Sequence, residues 1–132
     1  MQINDLIVLK TTLSNTKVGK LSSDTLRKYL KLSVRLNTYN TEWEELRRTY
    51  FEETAKNLGY DMHTLTEEQG NEIFNIAAPA LNEYLVTDVT DVETKIFSWD
   101  ELYDAILNCD ENKNLTTDQK TLLTNTLCYE SL

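Results

Sequence analysis

SSDTLRKYLKLSVRLNTYNTEWEELRRTYFEETAKNL, residues 22–58, decides how the rest of the chain is read. Tyr29, Leu32, Leu36, Tyr39, Trp43, Leu46 and Tyr50 recur in it at alternating spacings of three and four, a heptad seam. No Gly or Pro interrupts residues 20–58, so the pattern predicts one helix of about 50 Å at 1.5 Å per residue. Ser22 or Ser23 can cap its start, Asp24 suits its first turn, and Gly59 stands where a left-handed residue would end it. A seam rich in Tyr and Trp suits a hairpin or a heteromeric groove better than a self-dimerising zipper.

On the N-terminal side, Leu6, Leu9 and Leu13 predict a short helix capped by Asn4, followed by a basic linker, Lys17-Val18-Gly19-Lys20. On the C-terminal side, Thr66-Glu67-Glu68-Gln69 reads as a capping box for a helix burying Ile73, Phe74, Ala77, Leu81, Tyr84 and Leu85. Pro79 lacks a backbone donor, which predicts a kink or two short helices meeting near Ala78. Residues 85–97 alternate β-branched residues with acids and predict a small β-ribbon turning at Asp91. Ser98-Trp99-Asp100-Glu101 reads as a second capping box, with Trp99, Leu102, Ala105 and Ile106 facing inward. Thr116 or Thr117 then opens a last helix carrying Leu122, Leu123, Leu127 and Cys128. The expected fold is mainly α: a single helical domain over 1–132, an irregular bundle organised on the 22–58 helix with a minor ribbon at 85–97.

Composition narrows the function. The chain holds three Gly and one Pro, which disfavours a turn-rich sheet protein. The apolar run Leu6-Ile7-Val8-Leu9 is far short of the ~20 residues that span a bilayer and lacks the flanks of a secretory signal. A cytoplasmic location is therefore expected, neither secreted nor membrane-bound. In such a reducing compartment Cys109 and Cys128 need no pairing; Cys128 belongs in an apolar face and Cys109 near a helix end.

No constellation points to catalysis or a cofactor. His63 is the only histidine, in the 59–66 connector, with no cysteine near it in sequence, which leaves no zinc set and no activated nucleophile. Asp110, Asn112 and Asn114 imitate an EF-hand opening, but Leu115 replaces the turn glycine and Thr121 the bidentate glutamate. They read as a polar loop. Gly19, Gly59 and Gly70 are too scattered for a phosphate cradle, and Glu44-Glu45 and Glu52-Glu53 read as solvated helix faces.

Charge is the remaining signal. The net charge is −9, yet residues 1–48 hold nine basic against five acidic residues, while residues 49–132 hold four against seventeen. Arg27, Lys31 and Arg35 form a stripe at i, i+4, i+8, and Glu67, Glu68, Asp88, Asp91 and Glu93 mark the acidic part. Both sets are candidate partner-binding residues. The sequence pI of about 4.5 argues against nucleic acid as the partner.

Asp5 to Leu13, Lys17 to Arg35, Glu42 to Glu53 and Tyr84 to Leu102, the last ending Phe97-Ser98-Trp99-Asp100-Glu101-Leu102, follow one another in an order that resembles a loose group of small phage proteins. Pro79 and the helix from Thr117 to Tyr129 depart from that outline. The resemblance implies a phage gene product, often from the morphogenesis region, and carries over no catalytic residue. The expected function is a non-enzymatic protein–protein interaction protein, a virion component or assembly factor, that binds copies of itself or phage structural proteins. The alternative is an acidic inhibitor that mimics nucleic acid and occupies a host nuclease or immune effector.

Overall fold

The computed structural model describes all residues, Met1–Leu132. Five α-helices follow in order: α1 (Ile3–Ser14), α2 (Ser23–Leu58), α3 (Glu67–Leu85), α4 (Trp99–Leu102) and α5 (Thr117–Leu127). The chain is mainly α, and α2 runs unbroken for 36 residues. Ser22 Oγ accepts the Thr25 N–H at its start, and Gly59, at φ 75°, ends it in the left-handed conformation. Every seam residue is at least half-buried. No helix is long and apolar enough to cross a membrane.

The core gathers at one end of this rod. Leu32 and Leu36 of α2 pack with Leu6, Leu9 and Leu13 of α1, with Ile96, Phe97, Leu102 and Ile106, and with Leu123 and Leu127 of α5. Tyr29 meets Phe97 edge to face at 6.2 Å. Beyond this body the second half of α2 has only α3 beside it. Ala55 of α2 and Ile73, Ala77 and Leu81 of α3 are buried, and Trp43 stacks on Tyr84 at 6.0 Å. The two helices thus form an arm.

The 85–97 ribbon is not there. A two-stranded ribbon is marginal by itself, and each half finds a better partner in an end of the chain. Around Asp88 the segment bridges to Gln2: the Ile3 N–H donates to the Thr87 carbonyl at 3.0 Å and the Val89 N–H to the Met1 carbonyl at 2.7 Å. Around Phe97 it bridges to Cys128: the Phe97 N–H donates to Leu127 at 2.9 Å and the Tyr129 N–H to Phe97 at 2.9 Å. The β-branched residues serve as single ties.

Three other local expectations change. Of the two alternatives at Pro79, a kink or two short helices, the second is absent: Pro79 lies inside one continuous α3, with its missing donor on an exposed flank and Ile73, Ala77 and Leu81 buried on either side. The first helix begins after Gln2 rather than Asn4, because the Asp5 carboxylate accepts the Gln2 N–H at 2.9 Å. The helix opened by Ser98 widens after one turn into a π turn, Tyr103–Leu107, closed by an Asn108 N–H to Tyr103 carbonyl bond at 2.8 Å.

That π turn explains the basic linker. Carbonyls at a helix end lack intrahelical partners, and here the linker supplies one: the Gly19 N–H donates to Ala105 O at 2.8 Å. A Cβ on Gly19 would stand 3.3 Å from that oxygen, so a larger residue here would have to push the linker or the π turn back by a few tenths of an ångström. Asn112, 3% exposed, completes the strap. Its Oδ1 accepts the Lys17 N–H at 2.7 Å, and its Nδ2 donates to the carbonyls of Lys17 at 2.6 Å and Ile106 at 3.0 Å.

Candidate functional site

The largest concavity lies along the arm. A hairpin of two helices has only two layers, so the residues flanking its contact line have no third element to cover them. Ala55 of α2 and Ala77 of α3 are buried, while Phe74 of α3 stays 55% exposed. Trp43 and Phe51 on α2 and Phe74, Ala78, Leu81 and Leu85 on α3 line an open groove of about 890 Å³, with Met62 at its distal end. Phe51 and Phe74 face each other at 6.4 Å. Phe74 is 55% and Met62 40% exposed, far more than a packed side chain tolerates without cost.

Polar groups frame this floor on the α2 side. Arg47 lies over the Trp43 ring at 5.9 Å, Arg48 pairs with Glu52 at 3.8 Å, and Glu44 stands beside them. Tyr84 backs Trp43 with a hydroxyl that finds no hydrogen-bond partner. Burial, and then the Glu42 charge, push that hydroxyl up to about 12.

The predicted partner-binding charges fall in several places. Arg35 pairs with Asp91, and the Tyr39 hydroxyl donates to the same carboxylate at 3.2 Å. Burial first, then Asp91, holds that hydroxyl above its ordinary value. Lys31 and Glu93 line a second groove, of about 550 Å³, with Arg35, Asp91, Val34 and Val92. Basic stripe and acidic segment therefore meet inside the molecule. Arg27 pairs locally with Asp24 at 3.5 Å. Asp88 is exposed beside the Gln2 bridge, and Glu67 and Glu68 occupy the first turn of α3, about 27 Å along the helix from its other end.

The residues weighed for chemistry are dispersed too. His63 is exposed in the loop at the arm tip, its N–H donating to Asp61 Oδ1 at 2.9 Å. Cys109 is half-buried, Cys128 lies in the core, and both are free thiols. No group of three His, Cys, Asp or Glu side chains comes together in a way that could hold a metal ion. The EF-hand imitation is accounted for by Asn112, whose side chain is spent on Lys17 and Ile106.

Two groups stayed hidden at the sequence level. Phe74 was expected inside, but it lies one position off the Ile73–Ala77–Leu81 row and faces the groove instead. The Glu101 carboxylate does not close a capping box; it accepts the Ser22 N–H at 2.9 Å and so fastens the start of α2 to α4. Burial opposes its charge, yet bonds from Thr25 and Ser22 prevail and hold it below its ordinary value.

Comparison with protein-family models, with curated proteins and with solved structures finds no match to this chain.

Proposed function

We propose that this chain is a non-enzymatic protein–protein interaction protein that docks through the groove of the α2–α3 arm. In line with its outline resemblance to small phage proteins, we propose further that it serves as a virion component or assembly factor. The observation that carries the reading is the uncovered aromatic floor formed by Trp43, Phe51 and Phe74. Phe97 packs against Tyr29 and Tyr84 stacks on one face of Trp43, so of the seam only the rest of Trp43 is left to the groove, beside Phe51 and Phe74.

Helix-in-groove recognition fits such a surface, because an amphipathic helix would supply the missing third layer. The acidic-mimic alternative calls for one continuous anionic face. The five acids considered for it fall at the arm tip and, some 27 Å of helix away, in the 88–93 segment. That separation favours the first reading.

The test is a tagged protein expressed in the cells that carry it, compared with Phe74→Glu in the groove and with Ile76→Glu, an exposed residue that does not line the groove. A bound protein retained by the wild type and by Ile76→Glu, and lost with Phe74→Glu, is the expected result. Identical recovery by all three would remove the groove from consideration.

A further inference from the structure

We infer that residues 90–95 form a flap that lifts from α2 while the helices stay folded, with Asp91 as its latch. The flap lies apart from the arm groove, so the inference stands independently of the docking role proposed above.

The segment is built to come away easily. In Thr90-Asp91-Val92-Glu93-Thr94-Lys95 the β-branched residues favour extended chain and the charged residues favour water, so no helix claims it. Its ends are fixed by backbone bonds, the Val89 N–H to the Met1 carbonyl at 2.7 Å and the Ile96 N–H to the Leu127 carbonyl at 3.0 Å. Between those ties none of the six backbone N–H groups donates to a backbone carbonyl. Thr94 is buried and Val92 half-buried against the core; the other four residues are exposed. Few backbone bonds and little buried apolar surface are the conditions under which a segment opens locally without global unfolding.

One side chain holds it down. Arg35 pairs with Asp91, and the Tyr39 hydroxyl donates to the same carboxylate at 3.2 Å; no other polar side chain of the flap bonds to the body. Arg35 and Tyr39 stand one turn apart on α2, with the guanidinium 5.5 Å from the Tyr39 ring, so the carboxylate meets an assembled pair of donors. The ion pair is exposed, its side chains 40% and 57% so, which makes the latch weak and sensitive to salt.

Lifting the flap changes the charge that α2 presents. Closed, Asp91 and Glu93 lie beside Lys28, Lys31 and Arg35 around one cleft. Open, Arg35 loses its carboxylate partner, and Lys28 and Lys31 pair with none. Those three cations follow one another at spacings of three and four, on one face of the helix. The flap is thus an autoinhibitory cover: it decides whether that face is of mixed charge or basic, and ionic strength shifts the balance.

The test follows the Val92 methyl groups and the 90–95 amides of the full-length protein by NMR relaxation, from low to high salt. Asp91→Asn, which keeps the size and removes the charge, should raise the open-to-closed ratio about twofold to fivefold at low salt. Arg35→Gln should do the same from the other side, and Tyr39→Phe should do less. Salt should lift the wild-type flap and leave that of Asp91→Asn nearly unchanged, with the amides of α3 and α5 as in the wild type throughout. An Asp91→Asn flap as rigid as the wild type's overturns the inference, and so does salt acting equally on both proteins. Added motion that spreads into α3 and α5 would mark general loosening rather than a latch and overturns it as well.

Discussion

Replacing Asn112 should loosen the molecule more than any other polar substitution. Its side chain makes three hydrogen bonds, two to the Lys17 backbone and one to the buried Ile106 carbonyl. Each is worth about 0.5–1.5 kcal/mol net, and an orphaned buried carbonyl costs about 1–3 kcal/mol. Allowing for water reaching Lys17, Asn112→Ala should lose about 3 kcal/mol, or ~10 °C in midpoint for a chain of this size. Asn112→Asp is the sharper probe. Its carboxylate still accepts the Lys17 N–H but turns an oxygen toward two carbonyl oxygens, so at neutral pH it should be worse than alanine. Burial raises the introduced carboxyl above its unfolded value, so the fold tolerates it best below about pH 3.9, and its penalty grows as pH rises through the raised folded value. Urea titrations followed by circular dichroism at neutral and acid pH measure both effects. An alanine variant within ~0.5 kcal/mol of wild type, the size of an ordinary surface change, would refute the strap, as would an aspartate variant no worse than alanine at neutral pH.

Tyr84→Phe removes a hydroxyl without a partner while keeping the ring on Trp43, and should leave stability unchanged or raise it by up to about 1 kcal/mol, read from the thermal midpoint. A double-mutant cycle on Arg35 and Asp91, whose side chains are 40% and 57% exposed, should give a coupling below about 1 kcal/mol that fades with salt. Glu101→Gln should cost less than about 1 kcal/mol at neutral pH. Since the folded carboxyl titrates below its ordinary 4.5, that contribution is present above 4.5 and lost as pH falls through the folded value, so wild type and variant should converge in acid unfolding curves.

The long helix could be read from residues alone, because an uninterrupted heptad pattern bounded by Ser22 and Gly59 leaves few alternatives. The capping box at Thr66 was equally legible, since both its hydrogen bonds join residues three apart; Thr116 forms one too, where the sequence pointed only to a helix start at Thr116 or Thr117. What escaped is long-range. Residues 85–97 have the β-branched character of extended chain, yet they form only single bridges at Asp88 and Phe97; the partners, Gln2 and Cys128, are chosen by where the helices bring the two chain ends. Asn112 illustrates the same point from the other side. Its neighbours mark a polar loop, and only the approach of Lys17, 95 residues earlier, turns it into a buried clamp. The groove was not visible: periodicity placed Phe74 on the buried side of its helix, and which flank stays open depends on how α2 and α3 pack.

Charge division takes on a different meaning once the fold is known. Part of it is cancelled at the surface of the body, where Asp91 and Glu93 lie beside Lys31 and Arg35. What survives is an opposition along α2 itself, basic near the body and acidic along the arm.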